Sequence, residues 1–192
     1  MQYADDRRNV ASDSHERRKD FLDQSEAQRL IDAAKHGRHG LRNHLLVLML
    51  YHHGLRASEA VNLKLSDVNL ERARLWVRRL KGSLSTMHPI PGAELRALKR
   101  YLAARDSQLP WLFVSERGTQ MTRSAVFRIV KDAGLRAGLG HVWPHMLRHS
   151  CGYYLADKGI DFRVAQDYLG HRDPKHTQRY TRIAGKRFEN IW

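Results

Sequence analysis

The chain has 192 residues, 42% of them hydrophobic, which suits one domain with a substantial core. Its 34 lysines and arginines against 20 acidic residues give a formal charge of +14, pointing to a polyanionic partner, with a basic but inert surface as the plain alternative. A single cysteine, Cys151, allows no internal disulfide, and neither a signal peptide nor a bilayer-length apolar run is evident, so a cytoplasmic protein is expected and a membrane partner is not.

Residues 1–19 are polar and charged without an apolar period, and read as a flexible basic arm that either touches DNA or is simply solvated. Asp23 followed by Glu26 reads as a capping box opening a helix through Ala34. A second helix is expected from Leu41 to His53, with Leu45, Leu48, Met49 and His52 on one face and Gly54 ending it. Arg56 opens the next short helix. From Asp67 to Ile90 short apolar runs such as Leu75 to Val77, with a turn at Gly82 and Ser83, predict a small antiparallel sheet. Helices follow over 92–105, 122–137, 145–157, 162–169 and 175–180, with Pro144 suited to a first helical turn. The fold class is therefore mainly α with one small antiparallel β-sheet. Phe188, Ile191 and Trp192 share a helical face and form an apolar tail.

Two phrases near the end, PHMLRHSCG and LGHRDPKHTQRY, carry the chemistry together with GLRASE at 54–59 and RLKGS at 79–83. A phosphodiester in transfer gathers charge on its non-bridging oxygens, and fixed cationic donors stabilise it there. Arg56 and Arg148 suit that task, because a guanidinium stays charged and can meet two phosphate oxygens at once. His145 and Arg148, three apart on an expected helix, share a face and can converge on one phosphate, and His171 adds a donor. Tyr180 supplies an oxygen nucleophile that can hold the phosphoryl group as an ester. A phenol of pKa about 10 needs activation, for which His145 is the base. Lys81, in the hairpin turn, is read as the general acid for the departing alkoxide.

These motifs resemble the tyrosine recombinases, the phage-integrase-type site-specific recombinases. GLRASE carries the first arginine as Arg56, PHMLRHS the histidine and second arginine as His145 and Arg148, LGH carries His171, and Tyr180 follows nine residues later. Lys81, eight before Pro89, matches the family's hairpin lysine, and Glu59 looks like the acidic residue supporting the first arginine. The likeness runs from about Asp20 to the end. RLKGSLSTMHP, HSCG and RFENIW look most like the fimbrial phase-variation recombinases. The resemblance implies a tyrosine recombinase catalytic domain over 20–192; most of the family carry a separate core-binding domain ahead of it, and the roughly twenty residues here are too few to fold as one, as in the fimbrial group. It also implies a 3′-phosphotyrosyl intermediate in DNA inversion, integration or excision, with neither cofactor nor metal. The implied partners are double-stranded DNA, further copies of the chain in a tetrameric synapse, and accessory DNA-bending proteins. The apolar tail would dock on a neighbouring protomer, or else on its own domain. A noncatalytic DNA-binding regulator and a type IB topoisomerase are the alternatives.

Plainer readings stand beside each assignment: His171 as a helix cap, Tyr180 as a core aromatic, Arg56 as a surface ion-pair partner, and Lys81 as a solvated turn lysine. His145 and His149 have the i, i+4 spacing of a zinc helix, but the glutamate of HExxH is missing and no third ligand is evident. Cys151, among apolar neighbours, reads as a buried structural thiol.

Overall fold

The computed structural model of the chain describes residues 20–79 and 83–183. Helix α1 spans Gln24–Ala33 and starts as its capping box dictates: the Glu26 N–H donates to the Asp23 carboxylate at 2.9 Å and the Asp23 N–H to the Glu26 carboxylate at 2.9 Å. Losing such a cap costs about 1 kcal/mol. Ala27, Leu30 and Ile31 form its buried face.

Helix α2, Gly40–His52, departs from the expected one-faced pattern. Every residue from His44 to Tyr51 is buried, because α1, α4 (Gly92–Ala104) and α6 (Pro144–Asp157) pack around it. A helix apolar on all sides is the centre of a domain and leaves the 3.6-residue period little to report. Gly54 ends it in the left-handed region, φ 55°, where a Cβ would stand 2.6 Å from the Leu169 side chain. Helix α3, Ala57–Asn62, begins directly after Arg56.

The sheet is three-stranded and antiparallel in the order β1 (Val68–Asn69), β2 (Arg74–Val77), β3 (Thr86–Pro89), with Leu75 opposite His88 and Val77 opposite Thr86. Helix α5, Arg123–Arg136, is capped by Thr122, whose hydroxyl accepts the Ala125 N–H at 3.1 Å. Pro144 occupies the first position of α6, as its missing N–H and fixed φ favour. Helix α7, Phe162–Leu169, ends at left-handed Gly170, and α8 runs over Lys175–Ile183, beyond the expected end at Tyr180. The main core joins α1, α2, α4, α5, α6 and the sheet through Leu30, Leu45, Leu98, Val130, Leu147 and Leu75. A smaller cluster of Cys151, Leu169 and Tyr180 links α6, α7 and α8. The expected N-terminal arm, the hairpin turn with Lys81 and the apolar tail lie outside the described residues.

Candidate active site

Glu59, 2% exposed, organises one side of the site. It sits three residues into α3, so its carboxylate reaches back to accept the Arg56 N–H at 2.9 Å and the Arg56 guanidinium at 2.6 Å. The second oxygen also accepts from Arg79 at 2.7 Å and lies 3.8 Å from Arg148. Burial pushes this carboxyl up, but the Arg79 charge, the Arg56 N–H and the charges of Arg148 and Arg56 outweigh it and hold the group below its usual range. Glu59 therefore stays ionised and fixes Arg56, whose side chain remains one-third exposed.

Arg148 is turned inward and only 1% exposed. Its Nη1 donates to the Gly54 carbonyl at 2.5 Å and its Nη2 to the Leu169 carbonyl at 2.6 Å, which satisfies acceptors at the ends of α2 and α7. Burial first, then the Arg79 and Arg56 cations, bring its pKa down to about 10, so it is charged at neutral pH. Two of its five N–H donors are thus committed to carbonyls and three are not. His145, in the turn before it, is exposed, so these two residues present themselves differently despite their spacing. Partial burial, then Arg148, Arg56 and Arg179, hold the His145 imidazole below its ordinary range. A neutral imidazole beside cations can accept a proton.

His171 follows Gly170, and its Nδ1 lies 2.8 Å from the Thr177 hydroxyl on α8. Burial and the Arg148 and Arg56 charges push it down to about 3. Tyr180 is 2% exposed, edge-on to Tyr153 with ring centroids 5.0 Å apart, and 6.0 and 6.2 Å from the rings of His149 and His171. Burial raises its phenol to about 12, against the opposing pull of Arg148 and Arg179. Its ring lies on Gly152, where a Cβ would come within 2.5 Å of it. Arg56, Glu59, His145, Arg148, His171 and Tyr180 thus gather where the end of α2, α3, α6, α7 and α8 meet.

Three further groups escaped the sequence reading. Arg79 donates into the same buried region as Arg148. Its signal was the strand alternation, which places 79 on the inner face with Leu75 and Val77. Asp20 lies 3.0 Å from His149 and 2.6 Å from Arg179, tying the start of the described chain to α6 and to the helix of Tyr180. Glu94, fully buried, meets His52 at 2.6 Å and His53 at 2.7 Å, and His53 lies 3.2 Å from His88. The thiol of Cys151 is buried and raised to about 12 by that burial, which makes it an inert core group. Among the described residues no cluster of three or more His, Cys, Asp or Glu side chains could hold a metal ion.

This fold is shared with tyrosine recombinase catalytic domains. The crystal structure of the XerA recombinase matches with a TM-score of 0.78 and 32% identity, over 90% of this chain and 66% of that one. The XerH site-specific recombinase in its post-cleavage complex with difH matches at 0.75 and 25% identity, over 88% of this chain and 51% of that one. The chain belongs to the Phage integrase family, whose sequence pattern matches residues 20–187. It is 42% identical to the type 1 fimbriae regulatory protein FimB of Escherichia coli K12 over 92% of this chain and 90% of that protein. FimE of the same strain is 40% identical, over 90% of each. This is a site-specific recombinase of the tyrosine class.

Proposed function

We propose that Tyr180 attacks a scissile phosphate of duplex DNA. The bond from its oxygen to phosphorus forms as the bond to the 5′-oxygen breaks, leaving a 3′-phosphotyrosyl link and a 5′-hydroxyl. His145 takes the phenolic proton, and Lys81 supplies one to the departing oxygen. Arg56, held by Glu59, and the uncommitted donors of Arg148 stabilise the non-bridging oxygens, with His171 completing the set. A hydroxyl of a second strand then attacks the link, so the ester conserves the bond energy without a nucleotide or metal cofactor.

The observation that carries this reading is the shared buried anchorage of Arg56 and Arg148 around Glu59, one helix packing away from Tyr180. XerH in complex with its difH substrate supports DNA as the substrate here. So does α5, which exposes Arg123, Arg128 and Lys131 around Phe127 in the manner of a cationic helix able to lie along a groove. Several copies of the chain joining two duplexes, aided by accessory DNA-bending proteins, would complete the exchange. The fimbrial names of FimB and FimE favour inversion, and with it phase variation, among the possible outcomes.

The test is covalent trapping. Wild-type and Tyr180→Phe proteins are incubated with nicked DNA fragments from the source genome, and adducts resistant to denaturation are recovered. Adducts on wild type alone, mapped to Tyr180, are expected. Equal adducts on both proteins would refute the assignment.

A further inference from the structure

Arg79 is a cation placed where a strand should bury an apolar side chain. Its side chain has no exposure, and its guanidinium spans four acceptors. Nη1 donates to Glu59 at 2.7 Å and to the Gly54 carbonyl at 3.3 Å; Nη2 donates to the carbonyls of His53 at 2.9 Å and Tyr168 at 2.6 Å. Its backbone N–H donates to the Ser85 hydroxyl at 3.1 Å, across the connection between β2 and β3. Gly170 lies against it so closely that a Cβ there would stand 2.7 Å from the Arg79 Cγ.

We propose that Arg79 is a positioning residue for the phosphodiester chemistry, an inference that rests on the function proposed above. It shares the Glu59 carboxylate with Arg56 and the Gly54 carbonyl with Arg148. Through one planar group it sets the relative placement of both arginines and the end of α7 that leads to His171. Electrostatics adds to this role. Arg56, Arg79 and Arg148 meet the single carboxylate of Glu59, so the pocket keeps an excess of positive charge that an arriving phosphate offsets. Lysine at this position keeps the charge but cannot span four acceptors.

The experiment uses the full chain with Arg79→Lys and Arg79→Met, on the DNA fragment to which wild type becomes covalently linked. Duplex affinity and single-turnover adduct formation at saturating DNA are measured for each, on the ordinary phosphodiester and on a substrate whose 5′-bridging oxygen is sulfur. Misplacement of about 1 Å costs on the order of 10²-fold in rate, so a loss of that size is expected, with affinity within about threefold of wild type. The sulfur substrate, whose leaving group needs no proton, should recover about tenfold of the loss, the share due to poorer proton delivery by Lys81, two residues along the sequence. Wild-type rates in both variants would overturn the proposal. So would a parallel fall in affinity and rate, an equal loss on both substrates, or unfolding of both variants at the assay temperature. Failure of wild type to form an adduct on any fragment would instead bring down the phosphodiester reading itself.

Discussion

Gly152 tests whether the packing of the Tyr180 ring positions the proposed nucleophile. In Gly152→Ala the new methyl would lie 2.5 to 2.6 Å from three ring atoms of Tyr180, whereas carbon atoms in contact sit about 3.5–4.0 Å apart. The ring must retreat by about 1 Å. Two effects on stability oppose one another: alanine within α6 gains about 1 kcal/mol over glycine, and overpacking costs about 1–3 kcal/mol. The net loss of about 1 kcal/mol lowers Tm by about 2–4 °C in a chain of this size. The rate responds far more, because about 1 Å of misplacement at the attacking atom costs roughly 10²-fold. Duplex affinity should be unchanged, since Gly152 is buried and contributes no side chain to a DNA surface. Thermal melting, a binding titration and single-turnover adduct formation read the three quantities separately. A folded Gly152→Ala protein that forms adducts at the wild-type rate would refute the argument.

Two further outcomes follow from buried charge. Glu59→Gln leaves the nearly unexposed Arg79 and Arg148 without a carboxylate, a loss of about 3–5 kcal/mol and a fall in Tm of about 10 °C; denaturant unfolding at the wild-type midpoint would contradict it. Burial, as the first cause in each case, holds His88 near about 2, His171 near about 3 and His149 near about 4, all below the ordinary 6.5. The unfolded chain therefore binds more protons than the native one below about pH 6.5, and stability falls as pH drops through that window. Glu94, brought down to about 2 by His53 and His52 against the effect of burial, adds to the loss below its ordinary 4.5. Denaturation midpoints measured between about pH 7.5 and 4.5 should decline steadily, and a flat profile would count against these buried neutral imidazoles.

Features settled within a few residues were legible from sequence alone. Asp23 and Glu26 close their box three residues apart, Gly54 and Gly170 mark helix ends, and Arg56 meets Glu59 across one turn. The order of Arg56, His145, Arg148, His171 and Tyr180 carried the family resemblance because the motifs that hold them are short contiguous runs of sequence. What escaped were pairings across the fold. The acceptors of Arg79 come from α2 and, 89 residues away, from α7, so only the register of β2 hinted that it turned inward. Glu94 shares a helical stripe with Leu98 and Tyr101 and would pass for a misplaced acid without His52 and His53, more than forty residues away. The inward turn of Arg148 was hidden as well, since spacing on a helix says which face a residue takes but not what its guanidinium finds there.

That inward turn changes how a loss at position 148 is to be understood. The guanidinium proposed to stabilise the phosphate also closes the ends of two helices, so on that proposal a truncated side chain there removes a donor from the reaction and a fastening from the scaffold at one stroke. An inert Arg148→Ala protein would not distinguish a missing reagent from a loosened frame. Only a substitution that keeps both carbonyl contacts while altering the remaining donors separates the two roles.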